Sequence, residues 1–225
     1  MMTDFDYQLA LLTFTPSVII FLYIFLNDKF KEPIDCVIKV FLLGIFLLIP
    51  AGILNDMFIF SKGEDYLDYA WIAGITEESL KFAAFYFFIT KKFNYNERMD
   101  AIVYGALISI GFATVENYEY VYVNFPEINS YYIAGIRALT AVPMHAMCGI
   151  IMGYYFGKYH FEHEPINLAK ALFIPMLGHA IYNYQYSTEG SFIIVLVLFF
   201  IARNAHKEFV KLQKIKVSEE EVKRM

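Results

Sequence analysis

Charged side chains lie inside two stretches of the sequence that are otherwise apolar. The stretch WIAGITEESLKFAAFYFFI carries Glu77, Glu78 and Lys81, and the stretch AIVYGALISIGFATVENYEYVYV carries Glu116 followed by Asn117. Two adjacent carboxylates in a low-dielectric site resist being ionised together, and a nearby cation favours one ionised form. Such a pair separates into an acid and a base, which is the requirement for general acid–base catalysis.

The next two apolar stretches add histidine, arginine and amide groups. Arg137 and His145 lie in one of them, and His179 and Asn183 lie in the other. Residues four apart share a helix face, so His179 and Asn183 can donate together to a developing oxyanion. Water activated by a glutamate, with such donors, can hydrolyse an amide without a serine or cysteine nucleophile.

The cost of exposing these groups to lipid requires them to face one another or a wet cavity. A charge at the centre of a membrane helix costs about 2.5–3.5 kcal/mol, so five would cost roughly 12–18 kcal/mol. At 1.5 Å per residue, four groups lie about 10–13 Å from the same end of their stretches: Glu77, Glu116, Arg137 and His179. His145 falls about two turns deeper, unless Pro143 kinks the helix.

Helical spacing also predicts ion pairs. Lys81 is four residues after Glu77 and three after Glu78, so it can reach either carboxylate. Arg137 is permanently charged and needs a buried anion. Glu116, at a similar depth, is the expected partner of Arg137.

The elements that carry these residues are long apolar runs. Of the 225 residues, 58% are hydrophobic and 18% are charged, whereas soluble domains have about 25% charged residues. Runs long enough to cross a bilayer lie at 8–27, 36–60, 68–90, 99–124, 131–157, 167–186 and 191–203. We therefore predict an all-α polytopic transmembrane helical bundle of about seven spans, with one domain at 1–203 and a basic cytosolic tail at 204–225.

Basic residues are concentrated on alternate connections. They are Lys29 and Lys31 in the first, Lys91, Lys92 and Arg98 in the third, Lys158 with Lys170 in the fifth, and Arg203, Lys207, Lys211, Lys214 and Lys216 in the tail. Lys/Arg-rich connections stay in the cytosol. The pattern predicts an extracytoplasmic N-terminus, a cytosolic C-terminus and a multi-pass protein of the plasma membrane.

The small residues of the fifth run favour packing rather than chemistry. Gly149, Gly153 and Gly157 recur every four residues, a spacing that lets a neighbouring backbone approach closely. Cys36 and Cys148 form neither a disulfide pattern nor a zinc motif, so we interpret both as apolar packing residues.

In their order along the chain, the polar motifs resemble those of a known family, the PrsW-type membrane proteases. EESLK at 77–81 resembles the EExxK motif of the family, and FATVEN at 112–117 resembles its FxxxEN motif. Arg137 with His145 is similar to its spaced Arg…His segment, and HAIYN at 179–183 to its final Hxxx(N/D) motif. The resemblance extends from about residue 71 to 183.

This resemblance implies roles for the site residues. PrsW-type proteases resemble the wider CAAX-protease and bacteriocin-processing superfamily, in which a double-glutamate helix is thought to activate water. By resemblance Glu77 is the base, Glu78 its partner, and His179 and Asn183 the oxyanion donors. Glu116 stands where the wider superfamily has histidine. If a metal is bound, the resemblance leaves four candidate ligands: Glu77, Glu116, His145 and His179.

The sequence thus predicts a glutamate-dependent intramembrane endopeptidase that requires no cofactor. Its expected substrates are single-pass membrane proteins; by resemblance, the reaction is the first, outer-side cut of a membrane-anchored anti-sigma factor. The expected surroundings are lipid, without nucleic acid. Glu116, His145, Lys81, Asn117 and Arg137 would complete or support the site.

Three alternatives remain open. Three glutamates and two histidines can bind zinc, as in a metalloprotease. Buried carboxylates also mark the pathways of proton- or cation-coupled transporters, although the paired half-helix repeats of many transporters are missing from the sequence. His145 and His179 could also serve as axial ligands of a haem.

Overall fold

Every regular element of the structure, a computed structural model that describes residues 6–92, 95–124, 128–184 and 188–224, is helical. The helices are α1 (Tyr7–Asn27), α2 (Ile34–Phe46), α3 (Leu48–Phe58), α4 (Trp71–Ala84), α5 (Thr90–Lys92), α6 (Arg98–Glu119), α7 (Ser130–Leu139), α8 (Ala141–Glu162), α9 (Pro165–Tyr184) and α10 (Thr188–Arg224). A 3-10 segment at Phe60–Tyr69 joins α3 to α4, and π-helical turns at Phe85–Ile89 and Tyr120–Asn124 follow α4 and α6. The predicted all-α class is confirmed.

Four helical segments are long and apolar enough to cross a membrane, judged by their length and composition. They are Tyr7–Asn27, Ile34–Phe58, Arg98–Asn124 and Ser130–Glu162. In the first two, only 22% of the apolar window is buried within the protein. Large side chains such as Leu11, Ile19 and Ile49 are at least 60% exposed there. An apolar exterior on this scale is expected of helices that face lipid tails.

The helix α6 forms the centre of the bundle. Of its apolar window, 83% is buried, and it packs against α8, α2 and α1. A Cβ atom added to Gly105 of α6 would collide with the carbonyl oxygen of Gly149 of α8, and one added to Gly153 would collide with that of Ala101. The glycine spacing of α8 therefore serves close packing of α8 on α6, as predicted.

A break separates α7 from α8. It lies at Thr140, whose backbone dihedrals are φ −124° and ψ −68°. The sequence allowed for a kink at Pro143, three residues further along. The cause is nevertheless the proline, because Pro143 has no N–H to donate to the carbonyl of Leu139 and its ring crowds that group. The Thr140 hydroxyl lies 3.0 Å from the Tyr182 hydroxyl of α9, which ties the break to the neighbouring helix.

The helix α10 passes through residue 203 without interruption, so the tail continues the last apolar run as one helix. Its Gln213 side chain is buried. It donates to Asp28, just after α1, over 2.8 Å, and to Glu97, just before α6. These hydrogen bonds attach the C-terminal half of α10 to the connection after α1 and to the connection before α6.

Candidate active site

Close packing of α4 on α9 brings the EESLK motif of α4 and the HAIYN motif of α9 together. A Cβ atom on Gly74 would lie 2.7 Å from Cα of Ala180 and 2.8 Å from the carbonyl carbon of His179. Only glycine permits this approach at that position. As a result, Glu77 and Glu78, one turn further along α4, meet the His179 imidazole.

Glu78 is the buried centre of a charged network. It is fully buried, and its Oε1 accepts from Lys81 Nζ over 2.8 Å and lies 3.0 Å from His179 Nδ1. Lys81, also fully buried, lies over the Phe112 ring at 4.2 Å. The spacing in the sequence allowed Lys81 either glutamate, and the structure pairs it with Glu78.

His145 connects the two halves of the site. Its Nδ1 lies 3.0 Å from Lys81 Nζ, and its Nε2 lies 3.0 Å from Glu116 Oε2. An ammonium only donates, so Nδ1 accepts, and Nε2 then carries the proton and donates to Glu116. His145 and Arg137, on either side of the break at Thr140, thus both contact Glu116.

Glu116 and Arg137 form the ion pair expected from their depth. The Arg137 guanidinium lies 2.7 Å from Glu116 Oε2, and its Nε donates to Asn117 Oδ1 over 2.8 Å. Asn117 in turn donates to the carbonyl of Thr13 in α1 over 2.8 Å. The Tyr120 ring lies 3.9 Å from the guanidinium carbon, so the charge is surrounded by partners.

Glu77 keeps one carboxylate oxygen free. Its Oε1 accepts from the Asn55 amide over 3.1 Å. Its Oε2 is buried, has no hydrogen-bond partner among the described residues, and lies 3.9 Å from His179 Nε2. A water molecule about 2.8 Å from both atoms would bridge that distance with ordinary hydrogen bonds.

Glu77 belongs to the wall of a cleft of about 670 Å³. The wall includes most of the predicted site, namely Glu77, Glu116, Arg137, His145, His179 and Asn183. It also includes exposed residues of α3 and the 3-10 segment, among them Gly52 and Phe60, so the cleft reaches the surface. Glu78 and Lys81 lie behind this wall rather than on it.

Asn183 lies on the cleft wall but is engaged in a contact outside the charged network. Its Nδ2 donates to the carbonyl of Ala70, immediately before α4, over 3.3 Å. This is a long, weak hydrogen bond. The amide can therefore be released toward a ligand at little cost.

Sequence reasoning missed Asn55 and its partner Thr76. The Thr76 hydroxyl donates to Asn55 Oδ1 over 2.8 Å, and Asn55 then donates to Glu77. The sequence signal for Asn55 was an amide side chain inside the apolar helical segment Ile34–Phe58, whose mean hydropathy is 2.6. Polar side chains in such membrane-spanning segments face the protein interior.

A metal site can be tested against these contacts. Donor atoms of Glu77, His145 and His179 lie within 4.8 Å of one another; Glu116, the fourth predicted ligand, is outside this group. The unpartnered Oε2 of Glu77 and the Nε2 of His179 are suited to a zinc ion. His145 is not, because both of its nitrogens are already engaged, and catalytic zinc sites take three protein ligands. As the side chains lie, the set does not complete a zinc site.

The bundle has a lipid-compatible exterior, and its cleft is lined by a carboxylate, a histidine and an amide. These features are expected of a membrane-embedded hydrolase. The model of the PrsW family of intramembrane metalloproteases matches residues 32–203. The chain is 34% identical over 190 residues to "Protease PrsW" of Oceanobacillus iheyensis, covering 83% of this chain and 86% of that protein.

Two further relatives carry the same name. The protein of Clostridioides difficile is 31% identical, with 86% of this chain and 85% of the relative covered. That of Bacillus subtilis is 31% identical, with 83% and 86% covered. No solved structure matches the chain. The chain belongs to the PrsW family of intramembrane proteases, which sets aside the transporter and haem alternatives.

Proposed function

We propose that this peptidase cuts single-pass membrane proteins near the extracytoplasmic side of the membrane, with water activated by Glu77. The observation that carries the proposal is the Glu77 Oε2 atom, which is buried, has no hydrogen-bond partner in the described part of the chain and lies 3.9 Å from His179 Nε2. A buried acceptor without a partner is costly in a folded protein unless a ligand or water uses it.

In the proposed reaction, Glu77 Oε2 takes a proton from water while the water oxygen attacks the carbonyl carbon of the scissile bond. His179 and Asn183 donate to the oxyanion that forms. Because Nδ1–H of His179 faces Glu78, His179 donates through Nε2 as an imidazolium. When the C–N bond breaks, the proton held by Glu77 passes to the leaving nitrogen.

The remaining charged residues hold this arrangement without touching the substrate. Glu78 orients His179 and is itself held by Lys81. Glu116 accepts from both Arg137 and His145. His145 thus links Lys81 to Glu116, so that α4, α6, α7 and α8 are joined around the cleft. Preorganisation of this kind lowers the reorganisation needed in the transition state.

A zinc-dependent reaction is the second candidate, favoured by the description of the matching family and by the cluster of Glu77, His145 and His179. These residues would hold the ion, which would lower the proton affinity of a bound water. This candidate requires His145 to leave Glu116 or Lys81. The glutamate reaction uses the contacts as they are.

The extracytoplasmic position of the cut rests on the proposed topology. With about seven spans and the N-terminus outside, α4 begins at the outer face, and Glu77 lies about 9 Å along it from Trp71. The 3-10 segment at the cleft mouth then lies outside. Among substrates, this favours the first, outer-side cut of a membrane-anchored anti-sigma factor, as the resemblance implied.

Locating the cut tests this proposal. Detergent-purified protein in proteoliposomes would be incubated with a membrane-anchored anti-sigma factor of its host, and both product ends read by mass spectrometry. We expect one cut in the outer third of the substrate helix or just outside it. A cut at the cytosolic end, or a C-terminal tag accessible from outside intact cells, would contradict the arrangement.

A further inference from the structure

We propose that Asn55 is a positioning residue for the reaction: its amide fixes one oxygen of Glu77 so that the other faces His179 Nε2. The inference rests on the proposed role of Glu77 as the base. It adds a residue from α3, which lies outside the four polar motifs on which the sequence prediction was based.

The inward face of α3 carries Asn55. Ala51, Asn55 and Ile59 recur every four residues and all line the cleft, and Ala51 and Ile59 are buried. The opposite face carries Ile53 and Met57, which are more than half exposed. An amide on the outward face would lie unpaired in hydrocarbon, a costly arrangement. Asn55 is therefore turned toward α4.

The chemistry of its neighbours fixes the orientation of the amide. The Nδ2 atom lies 3.1 Å from Glu77 Oε1, and the Oδ1 atom lies 2.8 Å from the Thr76 hydroxyl. An ionised carboxylate only accepts, so the amide must present its NH₂ group to Glu77. The reversed amide would set two acceptor oxygens against each other. Thr76, next to Glu77 in α4, supplies the proton that Oδ1 needs.

This arrangement decides which Glu77 oxygen is available as the base. Oε1 accepts from Asn55, whereas Oε2 faces His179 Nε2 and has no hydrogen-bond partner among the residues that the structure describes. The last torsion of a glutamate side chain is broad, so without Asn55 the carboxylate would rotate and present its free oxygen to the water less often. A displacement of about 1 Å at a reacting group can cost on the order of 10² in rate.

A purely structural role would have a different signature. If Asn55 only tied α3 to α4, its loss would lower the fraction of folded protein while each folded molecule kept its kcat. A positioning role lowers kcat per folded molecule and leaves KM nearly unchanged, because Asn55 acts on the base and not on the bound substrate.

The experiment compares two pairs of variants in proteoliposomes, with a membrane-anchored anti-sigma factor as the substrate. Asn55→Leu removes both hydrogen bonds at similar size, and Asn55→Asp keeps an acceptor for Thr76 but sets a carboxylate oxygen against Glu77. For both we expect kcat to fall about tenfold to a hundredfold with KM unchanged. Thr76→Val should lower kcat in the same direction, and Thr76→Ser, which keeps the hydroxyl, should restore it.

Matched controls keep the outcome decisive. Asn27→Leu makes the same substitution at a half-buried asparagine of α1 whose amide donates to the carbonyl of Tyr23, and it should leave kcat unchanged. Wild-type kcat in folded Asn55→Leu and Asn55→Asp would overturn the inference. If Asn55→Leu does not fold, equal kcat for Thr76→Val and Thr76→Ser would overturn it instead. An active Glu77→Gln variant would overturn the proposed function itself, a separate result.

Discussion

The Arg137 guanidinium and the Glu116 carboxylate lie 2.7 Å apart, with side chains only 12% and 13% exposed. Removing one partner of such a pair leaves the other charge buried and alone, which costs about 3–5 kcal/mol. We expect Arg137→Ala to lower the melting temperature, the abundance in membranes and the activity together.

A double variant separates the ion pair from the other contacts of Arg137. In Arg137→Met with Glu116→Gln no charge is left unpaired, so this protein should be more stable than Arg137→Ala. Thermal unfolding in detergent measures both variants. An Arg137→Ala protein as stable and as active as the wild type would show that the pair supports neither folding nor catalysis.

Asn183 and His179 should act on the rate rather than on binding. An oxyanion donor interacts more strongly with the transition state than with the substrate carbonyl. Asn183→Ala and His179→Ala should each lower kcat by roughly 10²–10³, and the double variant should lose less than the product of the two effects. Single-turnover cleavage with separately measured substrate binding checks this.

The contacts of Asn183 predict a stable variant. Its hydrogen bond to Ala70 is long, at 3.3 Å, so its loss should cost no more than about 1 kcal/mol. Leu177→Ala, at an exposed position of α9, is the control for the helix. An Asn183→Ala protein that loses substrate binding while its turnover is unchanged would rule out the oxyanion role.

Metal removal distinguishes the two candidate reactions. Both nitrogens of His145 are engaged with Lys81 and Glu116, so we expect cleavage to persist after dialysis against a zinc chelator. Elemental analysis of the active protein should then find less than one zinc per chain. Activity that is lost on chelation and restored by added zinc would instead establish the metalloprotease.

The Gln213 side chain should stabilise the fold from the end of the bundle opposite the cleft. It bonds to Asp28, Glu97 and the N–H of Lys29. Gln213→Leu leaves two buried carboxylates with fewer partners, at about 1–3 kcal/mol for each unsatisfied group. The melting temperature should fall while kcat per folded molecule is unchanged, and the exposed Lys214→Ala should alter neither. Unchanged stability in Gln213→Leu would show that this network does not hold α10.

The same network has a predicted pH dependence. Burial raises the pKa of the Glu97 carboxyl above its ordinary value, so the folded protein binds this proton more tightly than the unfolded chain does. The stabilisation is complete below the unfolded pKa and is lost as the pH rises through the folded pKa. Glu97→Gln should therefore flatten the fall in melting temperature on the alkaline side of that range.

Local spacing and depth predicted part of the site well. The helical repeat placed Lys81 within reach of Glu77 and Glu78, and the structure pairs it with Glu78. The pairing of Arg137 with Glu116 was predicted from their equal depth. His145 was expected about two turns deeper than Arg137 unless Pro143 kinks the helix; the helical dihedrals break at Thr140, and both residues contact Glu116. The sequence predicts the depth of a residue along a helix only where the helix is straight.

Contacts that depend on the rotation of one helix against another were not predictable. Asn55 meets Glu77 because of how α3 turns on α4, and a lone asparagine in an apolar run is equally typical of helix pairing. Gln213 belongs to the predicted basic tail, yet it is buried against Asp28 and Glu97. Asp28 and Glu97 are both far from Gln213 in the sequence, so no local sequence pattern indicates these contacts.

The cleavage rate of Glu77→Gln tests the central claim most directly. Glutamine keeps the size of the side chain and can still bond to Asn55 but cannot accept the proton of water, so folding should survive. Cleavage of the anti-sigma factor in proteoliposomes should fall by at least about 10². Glu64→Gln, at an exposed position of the 3-10 segment, should cleave as the wild type does. A folded Glu77→Gln protein that cleaves at the wild-type rate would contradict the glutamate mechanism.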